Sequence, residues 1–185
     1  MGKLSFISGI VSFVVLTGCS SVVGRAEGGT APEVVDHSFF EQLMVQDGRL
    51  GWAGMMIGMS RNEIEALTGG SVETYQSEGL GCGDVFGELR VLGRKITLQL
   101  DGSQGDAGVN SIYIEMLPEE AGRSAEELAN RLNEKLAMRY EPSRHDRGDP
   151  NPPSSGFYLL ESNPAMAVLI KPPRGFYVMR AACSD

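Results

Sequence analysis

The chain has 185 residues, 42% of them hydrophobic and 22% charged, with a formal net charge of −8. This is an ordinary globular composition, long enough for one domain or two very small ones. The acidic balance argues against a nucleic-acid backbone or an anionic membrane surface as main partner, because both attract basic patches, and leaves a basic partner compatible.

In chain order the first feature is an apolar run. Lys3 is the only early charge, and Leu4, Phe6, Ile7, Ile10, Val11, Phe13, Val14, Val15 and Leu16 follow with only serine and glycine between them. The run is well short of the ~20 residues that cross a bilayer and it ends in small residues, the pattern of a secretory leader. At its edge, Leu16-Thr17-Gly18-Cys19 resembles the lipobox of bacterial lipoprotein precursors. The resemblance implies a signal peptide over residues 1–18, cleavage before Cys19, and a membrane anchor of several acyl chains, palmitate among them, on that cysteine. Ser20 stands where an aspartate marks inner-membrane retention in enteric-type bacteria. It therefore implies the periplasmic face of the outer membrane, the inner membrane being the alternative where sorting differs.

Residues 19–36 are rich in Ser, Gly, Ala, Thr, Pro and Glu and cannot bury a core, so they read as a flexible tether. The remainder, 37–185, reads as one α+β periplasmic domain with sub-units at 50–117 and 122–185. Two cysteines are left once Cys19 carries lipid. Cys82 and Cys183 are expected to form a disulfide in an oxidising compartment, since neither has a second Cys or a His at ligand spacing.

Ser38-Phe39-Phe40-Glu41 predicts a short helix ending at Asp47-Gly48, and Ser60-Arg61-Asn62-Glu63 a second one, with Ile64 and Leu67 inward and Gly69-Gly70 as its stop. Strands are expected from about Val85 to Leu92, from Lys95 to Leu100, and from Ile112 to Met116, where apolar and polar residues alternate. Ser124-Ala125-Glu126-Glu127 opens the longest helix, whose Leu128, Leu132 and Leu136 recur every four residues. A loop rich in Pro, Asp and Gly covers His145 to Ser155, and three more strands follow at Phe157–Leu160, Met166–Ile170 and Phe176–Ala181. The sum is short helices packed on antiparallel sheet, arranged as two related helix-plus-three-strand units.

The segment Ile57-Gly58-Met59-Ser60, leading into Glu63-Ile64-Glu65-Ala66-Leu67-Thr68-Gly69-Gly70, resembles the opening of BamE-type lipoprotein domains and of the tandem β-lactamase-inhibitor protein. The likeness covers about residues 50 to 116. It implies a non-enzymatic protein-binding role, either as an accessory or scaffold of envelope assembly or as an inhibitor or immunity-type lipoprotein against a hydrolase or toxin. A small-ligand-binding lipoprotein is the remaining alternative.

The residues offer little chemistry. His37 and His145 stand beside Asp36 and Asp146 in tether and loop, where a solvated histidine is the better account. Gly79-Leu80-Gly81-Cys82-Gly83 lacks the spacing of a phosphate loop, and Asp101, Ser103 and Asp106 lack the closing glutamate of a calcium loop. Met55, Met56 and Met59 beside Trp52 could hold reduced copper, although core packing explains them better. No catalytic residue, cofactor or metal is assigned. Phe157-Tyr158 and Phe176-Tyr177 each place one ring on either side of a strand, so Tyr158 and Tyr177 are the candidate binding residues on an open sheet face.

Overall fold

The computed structural model describes residues 38–76, 83, 85–101, 108–141 and 156–183. Half of these residues are strand and a quarter helix, in an eight-stranded antiparallel sheet, a three-stranded sheet and four short helices. The expected α+β balance is thereby corrected to a mostly β architecture. The expected pair of helix-plus-three-strand units is corrected as well, because each main helix is followed by four strands and all eight strands share one sheet.

The first departure lies in the segment expected as one helix up to Gly48. Helix α1 is only Phe39–Gln42, capped by the Ser38 hydroxyl, which accepts from the Glu41 N–H. The chain then extends as β1 (Leu43–Gln46), turns at Asp47-Gly48 into β2 (Arg49–Trp52), and turns again at Ala53-Gly54 into β3 (Met55–Met56). Both central residues of each turn have positive φ: 52° and 71° at Asp47 and Gly48, and 51° and 84° at Ala53 and Gly54. Asp-Gly is the dipeptide of a tight hairpin whose twist matches its strands, and here it reverses a strand rather than stopping a helix.

Helix α2 (Arg61–Thr68) begins with a complete capping box between Ser60 and Glu63 and ends on Gly69 in the left-handed conformation. A meander follows: β4 (Glu73–Gln76), β5 (Val85–Val91), β6 (Arg94–Asp101) and β7 (Gly108–Glu115). Helix α3 (Pro118–Ala121) and helix α4 (Ala125–Lys135) lead into a second meander of β8 (Met138–Tyr140), β9 (Gly156–Leu160), β10 (Asn163–Lys171) and β11 (Gly175–Arg180). The strand order is β4-β5-β6-β7-β11-β10-β9-β8, so the last strand of each meander meets the other at the centre. There Tyr113 lies directly opposite Tyr177.

One core serves the whole domain. Phe39, Leu43, Leu50, Trp52 and Ile57 from the N-terminal piece, Ile64 from α2, and Leu128 and Leu132 from α4 pack with Ile96, Leu98, Ile112, Ile114, Val168, Ile170, Phe176 and Val178 of the large sheet. Phe39 stacks on Phe176 with ring centroids 4.0 Å apart. Met55 and Met56 are buried and Met59 packs partly buried against the same core.

A buried ion pair ties these layers together. Arg94, at the start of β6, donates from Nη1 and Nη2 to the two carboxylate oxygens of Glu120 on α3, each at 2.7 Å. The same carboxylate accepts from the backbone N–H of Phe39 at 2.8 Å and of Leu117 at 3.0 Å. Trp52 donates its indole N–H to the Phe39 carbonyl at 3.1 Å, and the Arg94 guanidinium sits 5.8 Å from the centre of the Trp52 ring. Burial of a charged pair is tolerable when every lone pair and proton is used, and four donors on two oxygens meet that condition for Glu120.

Candidate binding face

Side chains alternate across a strand, so the large sheet has two faces, and all the core residues named above occupy one of them. Antiparallel register places the other face's residues in rows running across the strands. One row passes from Glu73 through Glu88, Thr97, Tyr113, Tyr177 and Leu169 to Phe157. The next runs from Tyr75 through Phe86, Gln99, Ser111, Met179, Ala167 and Leu159 to Arg139. Phe86, Tyr113, Tyr177, Leu169, Phe157 and Leu159 are all partly exposed. Among the described residues, every helix that contributes to the core packs on the opposite side.

The face is organised by aromatic contacts. At its centre Tyr113 and Tyr177 lie 4.9 Å apart with a 50° tilt, and the Tyr113 hydroxyl donates to the Arg174 carbonyl at 2.7 Å. Partial burial pushes both phenols above their ordinary value of 10.0, so they are neutral hydrogen-bonding groups at physiological pH. Toward the β4 edge, Tyr75 stacks on Phe86 at 5.7 Å with a 12° interplanar angle. Ala167 and Met179 are buried on this face.

The two tyrosines singled out from the sequence therefore have different places. Tyr177 stands on the second face. Tyr158 is corrected to the core side, 7% exposed, where its ring lies over Gly156 and 5.5 Å from Tyr140. The reason is register: Leu169 lies between Tyr177 on one neighbour and Phe157 on the other, so β9 presents its phenylalanine where β11 presents its tyrosine. Sequence reading missed Tyr75, Phe86, Tyr113 and Phe157 as members of the same surface. The signal available for three of them was alternation with Val85, Ile112 and Tyr158.

Cys19, Cys82, His37, His145, Ser103 and Asp106 lie outside the described residues. Cys183 is in the 3-10 turn Ala181–Cys183 that follows β11. Among the described residues no group of three or more His, Cys, Asp or Glu side chains is placed to hold a metal ion, and no helix is long and apolar enough to cross a membrane. Two depressions open at the sheet edges. One of about 420 Å³ is lined by Ser71, Glu73, Glu88, Leu89, Arg90 and Lys95, and one of about 240 Å³ by Arg139, Leu159, Leu160, Glu161 and Pro164.

The chemistry this arrangement offers is adhesive. Flat rings, aliphatic side chains and neutral phenols on a rigid sheet supply contact area at low entropic cost. No family model matches the chain, and no curated protein and no solved structure matches it either.

Proposed function

We propose that this chain is a protein-binding domain that engages its partner through the second face of the large sheet. In this reading it works as an envelope accessory or scaffold, held by lipid on Cys19 at the periplasmic face of the outer membrane. The observation that carries the reading is the row of partly exposed Tyr113, Tyr177, Leu169 and Phe157 at the centre of an eight-stranded sheet whose other face is occupied by the core. Apolar side chains in a contiguous patch on a rigid element mark interaction surfaces, and aromatic residues there carry most of the binding energy. The anchor supports the envelope location through the leader and lipobox alone.

The test is photocrosslinking from single positions in the native envelope. Benzoylphenylalanine at Tyr177 or Leu169 is expected to trap a defined envelope protein, whereas the same probe at Glu126, on exposed α4, traps none. A partner that is a soluble hydrolase, trapped equally by the anchored protein and by Cys19→Ala, would replace the scaffold reading with an inhibitory one. Absence of any adduct specific to the second face would overturn protein binding through it.

A further inference from the structure

We propose that the partner of this face is a second copy of the same chain, related by a two-fold axis that lies in the interface, parallel to the strands and midway between β7 and β11. The inference rests on the protein-binding reading above and names the partner. A two-fold interface requires a surface complementary to itself. The sheet has four strands on either side of the Tyr113–Tyr177 pair, so rotation about that axis lays β4 over the copy's β8, β5 over β9, β6 over β10 and β7 over β11. Register then sets Thr97 against Leu169, Phe86 against Leu159 and Tyr113 against Tyr177 of the other copy. Two copies of one sheet also share its twist, which aligned sheet-on-sheet packing requires.

Charge selects both the partner and the axis. The chain carries −8, so two copies repel unless their contact keeps like charges apart. From Phe86 and Thr97 across to Phe157 and Leu159 the two rows hold no charged residue. Their polar groups are hydroxyls and an amide, which both donate and accept and so can be satisfied by their own kind. Charge is confined to the ends, as at the rim of a protein interface, and the ends differ. One carries Glu73 beside the Tyr75 ring, which is 47% exposed and stacked on Phe86. The other carries Arg139, whose 3.7 Å ion pair with Glu141 leaves its side chain 63% exposed. The proposed axis joins these unlike ends and lays each Arg139 over the other copy's Tyr75 ring, a favourable seat for a guanidinium. An axis across the strands would instead crowd Glu73 and Glu88 of the two copies together. The eight strands, ~4.8 Å apart, make a strip ~34 Å wide, and two rows of side chains make it ~15 Å deep, so the copies cover ~1,000 Å² between them. That area is at the lower limit for specific association, and the expected dimer is reversible with a micromolar Kd.

Sedimentation equilibrium of the Cys19→Ala protein is expected to show a monomer–dimer equilibrium that tightens as salt screens the net charge. Leu169→Glu, at a partly exposed position, sets a carboxylate in the uncharged centre and is expected to raise the Kd about tenfold or more. Adding Thr97→Lys to it is expected to restore the dimer, because the two positions are separated by β7 and β11 within one chain and meet only between copies. A monomer at ~0.5 mM, or a double variant that dimerises no better than Leu169→Glu, would overturn the inference. Crosslinking from benzoylphenylalanine at Tyr177 separates this failure from that of the broader reading. Adducts with other envelope proteins alone overturn the second copy and leave protein binding standing, whereas no adduct from any position on the face overturns both.

Discussion

Removal of the Glu120 carboxylate tests the architecture most directly. Glu120→Ala removes the carboxylate that pairs with the Arg94 guanidinium, whose side chain is 0% exposed, and strips acceptors from the N–H groups of Phe39 and Leu117. Breaking a buried pair from one side costs ~3–5 kcal/mol, because the surviving charge stays buried after its carboxylate is gone. In a domain of this size that corresponds to a fall in Tm of roughly 10 °C or more. Arg94→Met costs less, since Glu120 keeps two backbone donors. The double variant Arg94→Met/Glu120→Ala is expected to be far less unstable than the sum of the singles, with a coupling energy of ~2 kcal/mol or more. Urea denaturation of the four proteins closes the cycle, and hydrogen exchange at the Phe39 amide reports the release of α1. A loss below ~1 kcal/mol in Glu120→Ala, or strict additivity in the double variant, would refute the claim that this pair fastens α1 and α3 to the sheet.

Gly51→Ala is expected to destabilise the domain by roughly 1–3 kcal/mol in chemical denaturation, because a Cβ there would collide with the Met55 carbonyl oxygen, which is backbone and cannot yield cheaply. The carboxyls of Glu63, Glu65 and Glu127 are held below their ordinary value of 4.5, chiefly by the backbone N–H groups of Ser60, Val72 and Ser124 respectively. A depressed carboxyl contributes stability that is complete above its unfolded value and lost as pH falls through the folded one. Tm should therefore decline as pH drops below 4.5, and the double variant Glu63→Gln/Glu127→Gln should flatten that decline. Finally, Cys82 and Cys183 are expected to be joined: thiol labelling of the unreduced, unfolded protein should modify neither, and reduction should lower stability by up to ~4.7 kcal/mol, the chain-entropy limit for so long a loop.

Helices α2 and α4 were legible because their ends announce themselves. Ser60 with Glu63 and Ser124 with Glu127 close capping boxes, and Ile64, Leu128 and Leu132 fall on the buried side. The strands of the interior were legible by alternation, as in β6, where Arg94, Ile96, Leu98 and Leu100 are buried and Lys95, Thr97 and Gln99 are not. Edge strands were not. Glu73-Thr74-Tyr75-Gln76 and Met138-Arg139-Tyr140 are short and polar because an edge is kept so to discourage pairing with other chains, which removes the apolar period that reveals a strand. Losing one edge strand from each meander is why each unit was counted one strand short. On the second face of the large sheet, Phe157-Tyr158 and Phe176-Tyr177 are the same dipeptide with opposite facing, a difference that resides in pairing across β10 and in no local property of either segment. Arg94 with Glu120 was invisible for a related reason: a charged residue at the start of a strand reads as solvated until the layer above it is known.

The position of β11 in the sheet sets the order in which this molecule can come into being. Its residues, Gly175–Arg180, form the last of the sheet's eight strands in sequence and yet a central one, with β7 on one side and β10 on the other. A chain emerging N-terminus first can form the β4–β7 meander early, but β7 must wait for its second neighbour until the rest of the sheet's strands, through β11, have emerged. The native sheet is thus closed by the last of its eight strands in sequence, and loss of β11 would divide it in two rather than trim an edge. Such a topology makes folding slow, because its decisive contacts are distant in sequence, and keeps a partly emerged chain from settling prematurely into its final form.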